Sequence, residues 1–142
     1  MNEFVQRQIN EYLKRAHRAL RTGRLVLDDQ DYIAAVNRAY YAIFYALVLR
    51  QGLRAANALL ATKGLEQSKH SGVIAAFRQH FVKTGLIEVK YSDVYGTAMS
   101  DRHDGDYSLD YLSHETAARD LDWAERFLSR VEKLLTEIGV LT

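Results

Sequence analysis

Apolar residues recur along most of this chain at the three- and four-residue steps of an α-helix, and nowhere with the sustained alternation of a strand. A first helix is predicted over about residues 2–22. Phe4, Val5, Ile9, Tyr12, Leu13, Ala16 and Leu20 form its stripe, and Arg7, Lys14, Arg15, Arg18 and Arg21 fill the rest. Gly23 stands where a left-handed C-terminal cap is expected. Asp28, Asp29 and Asp31 then cluster, as residues that cap a helix start and complement its dipole. A second helix runs from about 30 to at least 50. Between Ile33 and Leu49 only Asn37 and Arg38 are strongly polar, the mark of a helix buried at the centre of a bundle. Arg38, Tyr41 and Tyr45 follow one another at i, i+3 and i+7, a polar-tipped seam on that helix.

Gly52 either ends this helix or sits inside a longer one, since Ala55, Ala56, Leu59 and Leu60 extend the pattern to about Ala61, before Lys63-Gly64. A third helix is expected over about 69–84, with Val73, Ile74, Phe77 and Phe81 as its stripe, Ser68 as N-cap and Gly85 as stop. A fourth spans about 87–102, and the following ten residues, HDGDYSLDYL, read as the least helical stretch. The last helix follows Ser113 and reaches about Ile138. Its Ala117, Leu121, Ala124, Leu128, Val131, Leu135 and Ile138 are spaced 4, 3, 4, 3, 4, 3, a seam that packs lengthwise on other helices, and Gly139 follows as a cap. The expectation is an all-α, antiparallel up-and-down helical bundle of four long helices plus a shorter one, in a single domain over residues 1–142.

Composition sharpens this reading mainly by exclusion. The chain of 142 residues is long enough to bury a core without staples. It has no cysteine, which removes disulfides, thiolate zinc sites and a cysteine nucleophile. It has no proline, so nothing interrupts long helices. The N-terminus lacks the apolar core of a secretory signal and no run is long enough to span a membrane, so a cytoplasmic protein without membrane contact is expected.

The net charge is only +1, but it is unevenly spread: residues 1–24 carry six Lys/Arg against two acids, and residues 101–142 carry five against ten. The two ends of the chain can pair within the fold or offer separate patches to a partner, and the first reading is favoured. There is no phosphate-cradling glycine loop and no Ser–His–Asp elbow. No metal site and no cofactor is expected. His103-Asp104 alone is far short of a metal-dependent phosphohydrolase.

Four segments, in order, resemble the HEPN family, the higher-eukaryote-and-prokaryote nucleotide-binding domain. They are Asn37-Arg38-Ala39-Tyr40-Tyr41-Ala42-Ile43-Phe44-Tyr45-Ala46; Lys63-Gly64-Leu65-Glu66 followed by Lys69-His70-Ser71-Gly72-Val73-Ile74 and Phe77; Phe81-Val82-Lys83-Thr84-Gly85; and Arg102 with Gly105-Asp106-Tyr107. The resemblance covers roughly residues 5–138 and is nearest to small prokaryotic HEPN proteins associated with minimal nucleotidyltransferases. One departure is extra length around Val48–Arg54, before Ala56-Asn57-Ala58-Leu59-Leu60.

The resemblance implies a helical homodimer with a cleft between two copies of the polar loop region. It also implies a nucleotidyltransferase partner in a two-gene, toxin–antitoxin-like module, and nucleotide or RNA as ligand. Many members are metal-independent endoribonucleases whose Arg is followed by His with four to six residues between. Such an Arg holds the phosphate while the His moves a proton from the attacking 2′-hydroxyl. That spacing is absent here, because no arginine lies five to seven residues before any of the five histidines.

The densest cluster of functional groups is Arg102, His103, Asp104, Asp106 and Tyr107. As a catalytic loop it would use Arg102 on a phosphate and His103 or Asp106 on a proton. As a structural feature it would pair Asp106 with Arg102 or Arg38. Lys69 and His70, at a helix start, and Arg38 with Tyr41 are the candidate nucleotide- or RNA-binding residues. The more economical role for Arg38 is a buried pair with an acid on one of the last two helices. Tyr107 is the tyrosine that the resemblance marks as a target for adenylylation by the partner. The leading function is a partner module without the usual nuclease motif, and the alternative is an endoribonuclease using Arg102 with His103 or Asp106.

Overall fold

The computed structural model describes residues 3–57, 78–83, 85, 87–107, 112–137 and 139. Four α-helices occupy most of them: α1 (Glu3–Asp28), α2 (Tyr32–Asn57), α3 (Lys90–Tyr107) and α4 (His114–Glu137). A π-helical turn, Arg78–Val82, precedes α3, and no strand occurs among the described residues. None of the described helices is long and apolar enough to cross a membrane.

The helix directions follow from which residues meet. Tyr12 reaches Tyr45 while Gly23 lies against Arg38, so α1 and α2 are an antiparallel hairpin. Tyr40 meets Tyr95, and Gly105 lies by Ile33, so α3 runs against α2. Tyr91 on Phe127, with Asp101 on Arg119, sets α4 against α3. The bundle is therefore up-and-down, with α2 packed on α1, α3 and α4.

The central place of α2 follows from its composition. Ala35, Val36, Ala39, Tyr40, Ala42, Ile43, Ala46 and Leu47 are all buried, which leaves it almost no polar face. The seam of α4 is realised as spaced: Ala117, Leu121, Ala124, Leu128, Val131 and Leu135 are buried. Each large side chain of this kind contributes on the order of 1.5–3 kcal/mol through burial. The basic start and acidic end of the chain do pair. On α1, Arg24 Nη2 donates to Asp122 Oδ1 at 2.7 Å and Glu125 Oε2 at 3.0 Å, and His17 lies 2.8 Å from Glu132.

The helix ends depart from the predicted ones. Gly23 does not cap α1. It sits inside a helix that runs on to Asp28, at the point where a Cβ would come within 2.5 Å of Leu121 Cδ2 and 3.2 Å of Arg38 Cβ. The glycine is there so that α1, α2 and α4 can close on one another. The left-handed residue is Gln30, at φ 64°. Around it Asp31 N donates to Val26 O at 2.8 Å and Gln30 N to Leu27 O at 2.9 Å, the paired bonds of a Schellman turn.

Asp31 caps α2 as expected, its Oδ1 accepting from Ala34 N at 3.1 Å. Helix α2 continues through Gly52, so the longer alternative holds. Ser113 Oγ accepts from Thr116 N at 3.1 Å and caps α4. Gly85 and Gly139 have positive φ where stops are predicted. The stretch predicted to be least helical is helical as far as Tyr107. The predicted third helix falls mostly outside the described residues.

Candidate functional site

The antiparallel meeting of α2 and α3 brings three of the predicted residues into one cluster. The Arg102 guanidinium carbon lies 4.8 Å from the Tyr40 ring centre and 5.4 Å from that of Tyr41. Arg38 lies 5.1 Å from the same Tyr41 ring. All three distances suit cation–π attraction. Tyr41 is half-buried, as are Arg38 and Arg102, so two guanidinium groups stand at a partly open aromatic ledge.

The ledge is held rigidly from below. Tyr40 is fully buried, stacks edge-on to Tyr41 at 5.2 Å, and shares a 3.2 Å hydroxyl hydrogen bond with buried Tyr95 on α3. Burial pushes the Tyr95 hydroxyl up to about 12, although the nearby Arg102 charge pulls it the other way. Tyr95 therefore stays protonated near neutral pH and acts as a support. It is no base.

Among the described residues, the carboxylate partner expected for Arg38 is not seen. The described residues give it the Tyr41 ring and no carboxylate. The reason is local: Tyr41 lies three residues on, on the same helix face, and supplies a partner without a buried acid.

His103 belongs to a different face. Adjacent residues point about 100° apart around a helix, and His103 is exposed while Arg102 turns inward to Tyr40. Asp106 falls one helical turn after Arg102, and Tyr107 one turn after His103, both in the last turn of α3. The side chains of Asp106 and Tyr107, and all of Lys69 and His70, lie outside the described residues. Among the described residues no three His, Asp or Glu side chains converge as a metal site would need.

A second cluster was not singled out from the sequence. Asp120 interrupts the apolar stripe of α4 and is 3% exposed. Its Oδ1 takes long contacts from Arg119, at 3.3 and 3.4 Å, and its carboxyl is hydrogen-bonded with that of Asp101, while Arg119 Nη2 holds Asp101 Oδ2 at 2.8 Å. Arg119 is thus committed to Asp101. Burial, and then the neighbouring Asp101 carboxyl, push Asp120 up to about 8. The signal that marks Asp120 is a carboxylate among Ala117, Leu121 and Ala124 on one helical face.

This gives a prediction with a definite sign. The fold holds the Asp120 proton more tightly than the unfolded chain, whose ordinary value is 3.8. That contribution is complete below the unfolded value and is lost as pH rises through about 8. Melting temperature across this range is expected to fall more steeply for the wild type than for Asp120→Asn. Parallel profiles for the two proteins would show that Asp120 is ionised throughout.

Comparison with known proteins agrees with this architecture. The family described as HEPN domain matches residues 9–134. A UPF0332 protein of Thermotoga maritima is 38% identical over 97% of this chain and 98% of its own length. A Methanocaldococcus jannaschii protein named "Putative toxin" is 34% identical over 97% of this chain and 96% of its own length. A second protein of that organism with the same style of name is 28% identical, over 96% of this chain and 87% of its own length.

Proposed function

This chain belongs to the HEPN domain family, and on that footing we propose that it is the HEPN component of a two-gene, toxin–antitoxin-like module. In this reading it works as a homodimer with a nucleotidyltransferase as partner. It takes the phosphate of a nucleotide or RNA at Arg38 and Arg102. The observation that carries the binding reading is the pair of guanidinium groups on one half-buried tyrosine ring. A guanidinium whose flat face rests on a ring is held in a fixed place, which suits charge-assisted contact with a phosphate. The toxin-style names of two relatives support the module reading. The missing Arg-to-His spacing favours binding without the usual cleavage chemistry.

One observation keeps the nuclease reading in play as a second hypothesis. Because α3 continues to Tyr107, Asp106 stands four residues after Arg102, on the same side of the helix. Of the two proposed proton carriers, the register favours Asp106 over His103.

Purified protein incubated with RNA in EDTA, with co-purification of the adjacent gene's product, separates the two. Intact RNA, with the nucleotidyltransferase retained, is the expected result. Cleavage that disappears in Arg102→Ala would establish the nuclease instead. Intact mass after co-expression should show an adenylyl group on Tyr107, and a gain mapping elsewhere, or none, removes that part of the proposal.

A further inference from the structure

Near its start, α3 rests on α4 through Tyr91, which meets the Phe127 ring at 5.8 Å. Ten residues on, about 15 Å along the helix, its contacts with α4 are polar: Asp101 meets Arg119 and Asp120. Between the two ends a cavity of about 360 Å³ opens, lined by Asp93, Val94, Thr97 and Ala98 on α3 and by Trp123 on α4. The residue after Asp101 is Arg102, which lies over Tyr40 and Tyr41. The polar cluster therefore ties the ledge end of α3 to α4.

Two ionised carboxyl groups are both acceptors, so Asp101 and Asp120 bond to each other only by sharing a proton. One cation serves both. Arg119 makes its short contact, 2.8 Å, with Asp101 and reaches Asp120 at 3.3 Å. The surrounding helices bring no second cation to bear. Helix α2 gives this lining Ile43 and no charge, and on α3 Lys90 and Asp93, opposite in sign, border the cavity together. From α1, His17 and Arg24 engage Glu132, Asp122 and Glu125. With its proton the cluster of Asp101, Asp120 and Arg119 is neutral. Without it, two like charges stand side by side where Asp120 is buried.

We propose that the Asp101–Asp120 pair is a proton-operated latch between α3 and α4 that controls the ledge. While the proton is shared, α3 is held where Arg102 lies on Tyr40 and Tyr41. Once the proton leaves to solvent, the carboxylates repel, the cavity gives α3 room to swing about the Tyr91–Phe127 contact, and Arg102 is drawn off the rings. The inference rests on the reading that Arg38 and Arg102 hold a ligand's phosphate, and adds that alkaline pH switches this binding off. The fold keeps the proton until pH rises through about 8, so the latch is closed below that value and open above it.

Trp123, the chain's single tryptophan, follows Asp120 by about one turn and lines the same cavity, so its fluorescence reports on the pair. In the ligand-free protein a one-proton fluorescence transition is expected with a midpoint near 8, with far-UV circular dichroism unchanged. AMP, whose phosphate charge is constant above about pH 7, should bind about tenfold more weakly near pH 9 than near pH 7, because only about a tenth of the molecules stay latched. Asp120→Asn keeps a donor toward Asp101 at every pH. It should abolish the transition and hold AMP affinity within about twofold across this range. Asp101→Asn, which removes the like charge and leaves Arg119 to Asp120, should move the transition below about pH 7. The latch is overturned if Trp123 shows no transition, if either variant keeps the wild-type midpoint, if helix signal is lost with the transition, or if Asp120→Asn loses AMP affinity as the wild type does. Failure of the wild type to bind AMP at either pH would instead remove the ligand reading. The latch is then decided by the ¹³Cζ resonance of Arg102, which supports it by moving in step with Trp123 and overturns it by staying fixed.

Discussion

Arg102→Ala weakens binding of a short single-stranded RNA, or of AMP, by roughly ten- to a hundredfold, the loss expected for one charge-assisted contact. Its cost to the fold is of similar size, up to about 2 kcal/mol for a partly buried cation–π contact. The guanidinium lies over Tyr40 and Tyr41, so the two rings hold its flat face in place at the ledge. Arg102→Lys restores the charge but neither the plane nor the fork, so it recovers only part of the affinity. Filter binding or fluorescence anisotropy, with melting curves on the same samples, separates lost contact from lost structure. Equal affinity in Arg102→Ala and wild type would remove the ledge as the binding site. Comparing RNA with AMP shows whether the site takes a polymer or a mononucleotide.

Tyr40→Ala is expected to be the most damaging change in the protein. It empties a fully buried position touched by Tyr41, Phe44, Tyr95 and Arg102. Truncating a large buried aromatic costs about 3–5 kcal/mol, a large share of the roughly 5–15 kcal/mol that holds a domain together. Tyr40→Phe keeps the ring and loses only the 3.2 Å hydroxyl contact with Tyr95. It should cost about 1 kcal/mol and leave ligand affinity within about twofold of wild type. Denaturant unfolding of the two variants checks this. A Tyr40→Phe protein as unstable as Tyr40→Ala would mean that the hydroxyl pair, and not the ring stack, supports the ledge.

How much of this was legible in the sequence depends on the kind of feature. The seam from Ala117 to Leu135 and the apolar run around Ala39–Ala46 predict their helices and their burial correctly, because a long periodic face can be buried in only one way. Ends are harder. Gly23 looks like a cap, but a glycine serves equally well where helices must touch, and only the partners Leu121 and Arg38 decide between the two. Nothing about Gln30 announces a left-handed residue.

The polar run after Arg102 has weak helix propensity, yet Gly105 fits under Leu112 and beside Ile33, and tertiary packing carries the helix on. At the site, the i, i+3 register of Arg38 and Tyr41 was readable, and it outweighed the general expectation of an acidic partner. The convergence of Arg102 on Tyr40 needed the register of the antiparallel crossing of α2 and α3, which helical periodicity alone does not set. Asp120 was readable as a carboxylate in an apolar stripe, but its relation to Asp101 and Arg119 joins two helices and emerges only from their packing.

The central claim is that Arg38 and Arg102 act together on one ligand. Side-chain Nε–Hε resonances of ¹⁵N-labelled arginines, followed during titration with AMP and then with a short RNA, test it most directly. The account predicts that the Arg38 and Arg102 signals move together and saturate with the same ligand concentration. Movement of the exposed α1 residues Arg7, Arg18 and Arg21, with Arg38 and Arg102 unmoved, would contradict it.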